Sequence, residues 1–70
     1  MSAEPIITVN GERKPLPAGT TLRALIDSLG LSKQAVAAEV NGTLVPRRQH
    51  ESWQLRPEDK VELVSLVGGG

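Results

Sequence analysis

Asn-Gly occurs twice in this chain, at 10–11 and at 41–42, each time directly after a short segment in which aliphatic residues recur at every second position. Both central residues of a type I′ turn need φ > 0, and Asn followed by Gly meets that need with little strain. Each pair therefore predicts a two-residue β-hairpin. The first joins a strand over residues 5–10, where Ile6 and Thr8 alternate with Ile7 and Val9, to a short strand over 12–16. Pro15 and Pro17 keep that second strand short and place it at a sheet edge. The second hairpin joins residues 36–41, with Val36, Ala38 and Val40 on one side, to a return strand over 43–45 that Pro46 ends. A last strand is expected over 60–67, with Val61 and Leu63 on one face and Glu62, Val64 and Leu66 on the other.

One segment breaks the period of two. Leu22, Leu25, Ile26 and Leu29 fall at i, i+3, i+4 and i+7, the apolar stripe of an amphipathic helix. Thr20 is the expected N-cap and Gly30 the residue that stops the helix. Residues 47–57 read as irregular, with one helical turn around 49–53, and Asp59 reads as part of a turn into the last strand. The order is strand, strand, helix, strand, strand, strand. A single helix covers only one face of such a sheet, so the other face is left open. If Ile7, Val9, Val61 and Leu63 face the helix, then Ile6, Val64 and Leu66 face outward, with Ala37 beside them. Those four residues form a candidate docking face. The plainer alternatives are a one-residue error of phase, which would exchange the two sets, and the ordinary scatter of exposed aliphatics.

Seventy residues make one domain. There is no cysteine, so no disulfide, thiolate metal site or cysteine nucleophile, which fits a reducing compartment. With neither Phe nor Tyr, the core must be aliphatic, and Trp53, the one aromatic residue, is placed at its edge. Eight basic residues balance eight acidic ones, which gives no reason to expect nucleic acid or an anionic membrane as partner. No secretory leader or membrane-length apolar run is visible, so the cytoplasm is the expected location.

A search for catalytic chemistry comes back empty. No Gly-rich phosphate cradle is present. The single histidine, His50, has no ligand set or nucleophile at a recognisable spacing and reads as a surface or loop-packing residue. Arg47-Arg48 reads as a solvated pair, with an acidic partner or phosphate as the functional alternative. What remains is the end of the sequence, Gly68-Gly69-Gly70. Glycine loses the most conformational freedom on ordering, so residues 67–70 are expected to form a flexible tail after a domain over 1–66. Three residues reach about 10 Å, enough to carry a terminal carboxylate into another protein's active site. A frayed end is the alternative. A carboxylate is a poor electrophile and must be activated before its oxygen can be exchanged. Attack of a Gly70 oxygen on the α-phosphorus of ATP would give an acyl-adenylate. A sulfur nucleophile could then displace AMP and leave a thiocarboxylate, itself an anionic sulfur nucleophile.

The stretch Val40-Asn41-Gly42-Thr43-Leu44-Val45-Pro46-Arg47, then His50, then Val61-Glu62-Leu63-Val64 and finally Val67-Gly68-Gly69-Gly70 resembles the thiamin-pathway sulfur carrier family. Val9-Asn10-Gly11 and Gly19-Thr20-Thr21-Leu22 with Leu25 also fit, so the resemblance covers nearly the whole chain. It implies an α+β, ubiquitin-like β-grasp fold, a mixed sheet of four to five strands packed on one main helix. It implies that the chain is not an enzyme but a carrier acted on by a ubiquitin-activating-like adenylyltransferase that uses ATP and Mg²⁺, the chain itself binding no cofactor or metal. By carry-over, Gly70 is the residue adenylated and thiocarboxylated, and Gly68 and Gly69 belong to the recognised tail. A sulfur-donor protein supplies the sulfur, and thiazole synthase receives it. The family usually has Gly before the Asp that precedes the last strand, where this chain has Glu58, so the geometry of that turn is an open point. Related readings are a molybdopterin-synthase small-subunit-like carrier and a ubiquitin-like protein modifier. A reading of a different class is a non-catalytic β-grasp interaction module.

Overall fold

The computed structural model describes residues 4–66. Five strands, β1 (Ile6–Val9), β2 (Glu12–Pro15), β3 (Val36–Val40), β4 (Thr43–Val45) and β5 (Lys60–Ser65), and one helix, α1 (Leu22–Ser28), follow in the expected order. A 3₁₀ turn over Arg47–Gln49 leads into the helical turn expected around 49–53, where Trp53 N–H donates to Gln49 O at 3.0 Å. Pro46 starts the 3₁₀ turn, and its N-terminal carbonyls take the next amide groups: the His50 N–H donates to Arg47 O at 3.1 Å.

Both Asn-Gly pairs form the hairpins they predict. Asn10 and Gly11 have φ of 50° and 86°, and Asn41 and Gly42 have 53° and 81°. The flanking pairs are Val9 with Glu12 and Val40 with Thr43. The two asparagines do more than turn the chain. The Asn10 side chain donates to Leu63 O at 3.3 Å and accepts from Leu63 N–H at 2.8 Å. Asn41 Oδ1 accepts from Lys60 N–H at 2.9 Å, and its Nδ2 donates to Asp59 Oδ1 at 2.9 Å. Each hairpin tip is thereby fastened to β5 or its entry.

The sheet order is β2-β1-β5-β3-β4. β5 lies in the middle, parallel to β1 and antiparallel to β3. β2 is an edge strand, where Pro15 costs no ladder bond on the solvent side. The fold is therefore the α+β, mixed-sheet arrangement with one helix.

The helix cap differs from expectation. Thr21, not Thr20, is the N-cap: its hydroxyl accepts from Ala24 N–H at 3.0 Å. Thr20 is already committed, because its hydroxyl donates to Pro17 O at 2.6 Å and its carbonyl accepts from Leu55 N–H at 2.9 Å. At the other end Gly30, with φ of 76°, is the C′ residue as expected. Gly30 N–H donates to Asp27 O and Leu31 N–H to Ile26 O, the paired bonds of a Schellman motif. Leu22, Leu25 and Ile26 are buried, whereas Leu29 lies past the last turn and is exposed.

The core is aliphatic. Ile7, Val9, Val36, Ala38, Val40, Val45, Val61 and Leu63 from the inner sheet face meet Leu22, Leu25 and Ile26 of α1, with Leu55 from the loop. Trp53 is half-buried against this cluster, at its edge. Val61 sits at the centre with no exposure, as the middle strand requires.

Candidate functional site

The alternation along β5 places its two sets of side chains as expected: Val61 and Leu63 point into the core and Val64 and Leu66 point out. Register then decides which outward residues are neighbours. Ala37 pairs directly with Val64 across β3 and β5. One step further along the ladder on the same face, Glu39 pairs with Glu62, and on its other side with Leu44 of β4. Leu66 continues the row beyond Val64, held by its N–H donating to Ala35 O at 2.7 Å. Leu44, Val64 and Leu66 are 63%, 58% and 57% exposed.

Of the four residues read as a docking face, Ala37, Val64 and Leu66 are thus brought together. Ile6 is set apart. The parallel register pairs Thr8 with Lys60, so Ile6 stands level with residue 58, six residues before Val64. At about 3.3 Å per residue that is roughly 20 Å along the sheet. Ile6 is also half-buried, beside Pro15 of the edge strand. Leu44, absent from the four residues read as the docking face, joins the patch. Its signal was present: the two-residue turn at Asn41-Gly42 puts Leu44 opposite Glu39, and Glu39 belongs to the outward set of β3.

The Glu39–Glu62 pair is the anomalous feature of this face. Like charges directly opposite on neighbouring strands are unfavourable. The ion pairs among the described residues are Arg13–Glu58 and Arg23–Asp27, and neither involves Glu39 or Glu62. Lys60 lies two residues before Glu62 on the same strand and face, yet forms no ion pair with either glutamate.

The other candidates have structural roles. His50 is 5% exposed, and its Nε2 lies 3.1 Å from Val45 O. A carbonyl only accepts, so Nε2 carries the proton and donates, while the His50 carbonyl accepts from Arg23 N–H at 2.9 Å. His50 is therefore a loop-packing residue rather than a surface one. Asp59 is buried at the turn into β5, accepting from Arg56 N–H at 2.8 Å and from Asn41. Glu58, standing where Gly was expected, has φ of 69°. The turn keeps the left-handed geometry that Gly would take, and Glu58 adopts it under strain. Arg47 and Arg48 are exposed on the 3₁₀ turn at the sheet end where β5 finishes. A groove lined by Trp53, Arg56, Asn41 and Thr43 among others lies at the opposite end, next to the start of β5. Among the described residues no group of three His, Cys, Asp or Glu could hold a metal ion, and no helix is long and apolar enough to cross a membrane.

The tail residues Gly68, Gly69 and Gly70, like Val67, lie outside the described residues. The sequence model of the ThiS family matches residues 7–70, so it includes them. This chain belongs to the ThiS family. Among ThiS relatives, the sulfur carrier protein ThiS of Thermus thermophilus is 36% identical over 70 residues, with 93% of this chain and 100% of that protein covered. A thiazole synthase of Magnetococcus marinus is 39% identical over 64 residues, which are 91% of this chain but only 20% of that protein. The crystal structure of ThiS from Geobacter metallireducens superposes with a TM-score of 0.77 at 25% identity, covering 93% of this chain and 99% of that one. The ThiS-family β-grasp architecture thus spans nearly the whole chain, and in some organisms a ThiS-like segment is part of a thiazole synthase polypeptide.

Proposed function

We propose that this chain is a sulfur carrier of thiamin biosynthesis whose working group is the Gly70 carboxylate. The single observation that carries this reading is the ThiS-family match that runs through the triple-glycine end to residue 70. An adenylyltransferase of the ubiquitin-activating kind binds ATP and Mg²⁺. A Gly70 carboxylate oxygen attacks the α-phosphorus, and pyrophosphate leaves. Sulfide, HS⁻, released by a donor protein then attacks the acyl carbon and expels AMP, and loss of its proton leaves a terminal thiocarboxylate. Thiazole synthase takes the sulfur from there. The relatives in which one polypeptide contains both a ThiS-like segment and a thiazole synthase support that partner over other sulfur acceptors.

In this reading the chain performs no catalysis and holds no cofactor itself, and it works in the cytoplasm. Gly68 and Gly69 leave room for the enzyme to approach the backbone on both sides of the tail. Ordering such a tail costs about 1–2 kcal/mol per residue, so the folded part must contribute contact elsewhere. The patch formed by Ala37, Val64, Leu66 and Leu44 is the surface that offers it.

Intact-mass measurement tests the proposal. After incubation with the activating enzyme, ATP, Mg²⁺ and a sulfur source, the chain is expected to gain the mass of one oxygen-to-sulfur exchange, mapped to its last residue. A variant lacking Gly69 and Gly70 is expected to gain nothing. An unchanged wild-type mass, in a mixture that converts the Thermus thermophilus carrier, would remove the reading.

A further inference from the structure

Glu39 and Glu62 are paired across β3 and β5. On one side their neighbours on this face are apolar, Leu44 beside Glu39 and then Ala37 and Val64 in the next row; on the other side the next row holds Lys60. This arrangement works against the free chain, since two carboxylates in directly paired positions repel. Neither glutamate forms an ion pair among the described residues, with Lys60 or with any other cation. The pattern has the form of an interface missing its complement: an apolar patch bordered by two adjacent negative charges.

We propose that Glu39 and Glu62 together form the seat for one arginine of thiazole synthase when that enzyme docks on the open face. The proposal rests on the sulfur-carrier reading above and deepens it by naming the charge that the partner must bring. Directly opposed residues have Cβ atoms about 4.5–5.5 Å apart, so the two carboxylates reach outward side by side. A guanidinium has five N–H donors in a planar fork and can bond both carboxylates at once, whereas an ammonium is a point charge. Leu44, Ala37 and Val64 exclude water around the contact, which strengthens it. Thiazole synthase is the chosen occupant because relatives carry a ThiS-like segment and that enzyme in one polypeptide, so the two surfaces operate side by side. The repulsion between the glutamates also gives the complex an added driving force, because docking removes it.

The seat makes two predictions of opposite sign for one variant. Substituting Glu39→Gln and Glu62→Gln together keeps shape and removes both charges. Its Tm is expected to rise by about 2–5 °C, because the repulsion is gone. Its affinity for thiazole synthase, measured by calorimetric titration of the full-length chain, is expected to fall about 10-fold or more, with a flatter dependence on salt. Binding within about twofold of wild type would overturn the seat. Val64→Asp separates that failure from failure of the docking face. If Val64→Asp weakens binding and the double Gln variant does not, the face stands and the arginine seat falls. If neither weakens it, both fall. A wild-type chain that does not bind thiazole synthase at all would also overturn the proposal. The thiocarboxylate chemistry, read separately by mass, would be untouched by any of these outcomes.

Discussion

The two faces of the central sheet are written by the same strands at alternate positions, and they do different work. On the inner face, Ile7, Val9, Val40, Val61 and Leu63 are buried against α1. On the outer face, Glu39, Glu62, Val64 and Leu66 are exposed, and two of them are like charges in directly paired positions. An inner side chain lowers the free energy of the folded chain. An outer one adds little to folding, which leaves that face free for the docking role proposed above. In a domain this small the difference is sharp, because the single helix leaves no second layer to blur it.

Substitutions along one strand put this contrast to its hardest test. Leu63→Ala is expected to cost about 2–4 kcal/mol in chemical denaturation, a transfer term plus a cavity term. Leu66→Ala, three residues later on the opposite face, is expected to cost less than about 0.5 kcal/mol. Equal losses would mean that the outer face helps to hold the fold. The next largest effect concerns the fastening of the hairpins to β5. Asn41→Ala removes the bonds to Lys60 N–H and Asp59 and puts a Cβ-bearing residue without a polar side chain at φ of 53°. A loss of about 2 kcal/mol is expected, visible as a lowered urea midpoint.

Two smaller changes sharpen the account at the ends of elements. Thr21→Ala is expected to cost about 1 kcal/mol by loss of the N-cap. Thr20→Ala should cost less, and a reversed order would restore the cap to Thr20. Glu58→Gly should raise stability by about 0.5 kcal/mol, seen as a higher Tm, because relief of the left-handed strain exceeds the added chain entropy. The exposed Arg13–Glu58 contact at 3.4 Å is too weak and too solvated to reverse that sign.

What could be read beforehand was local. The helix stripe, Gly30 as its stop, both Asn-Gly turns and the phase of β5 all depend on spacing within a dozen residues, and all appear in the structure. Features set by distant contacts were not legible. Thr20 and Thr21 are equally good caps in isolation, and the choice between them follows from Leu55 N–H taking the Thr20 carbonyl. Ile6 and Val64 share a face but not a neighbourhood, because the parallel register of β1 with β5 joins segments fifty residues apart in the chain. Leu44 was left out of the docking face for a different reason: the strand was followed only to Pro46 as its end, although the hairpin register already put Leu44 on the outer face. Glu58 shows the backbone overriding residue preference, with the turn keeping its geometry although Gly is absent. The glycine tail, the reactive element of the proposed function, lies outside the described residues.

Methyl NMR of the full-length chain during titration with perdeuterated thiazole synthase tests the division of the two faces most directly. The account predicts that the methyl signals of Leu44, Val64 and Leu66 shift or broaden first, while those of Ile7, Val61 and Leu63 remain close to their free positions. Changes centred instead on Leu55 and the Trp53–Arg56 groove, with Leu44 and Val64 unmoved, would contradict it.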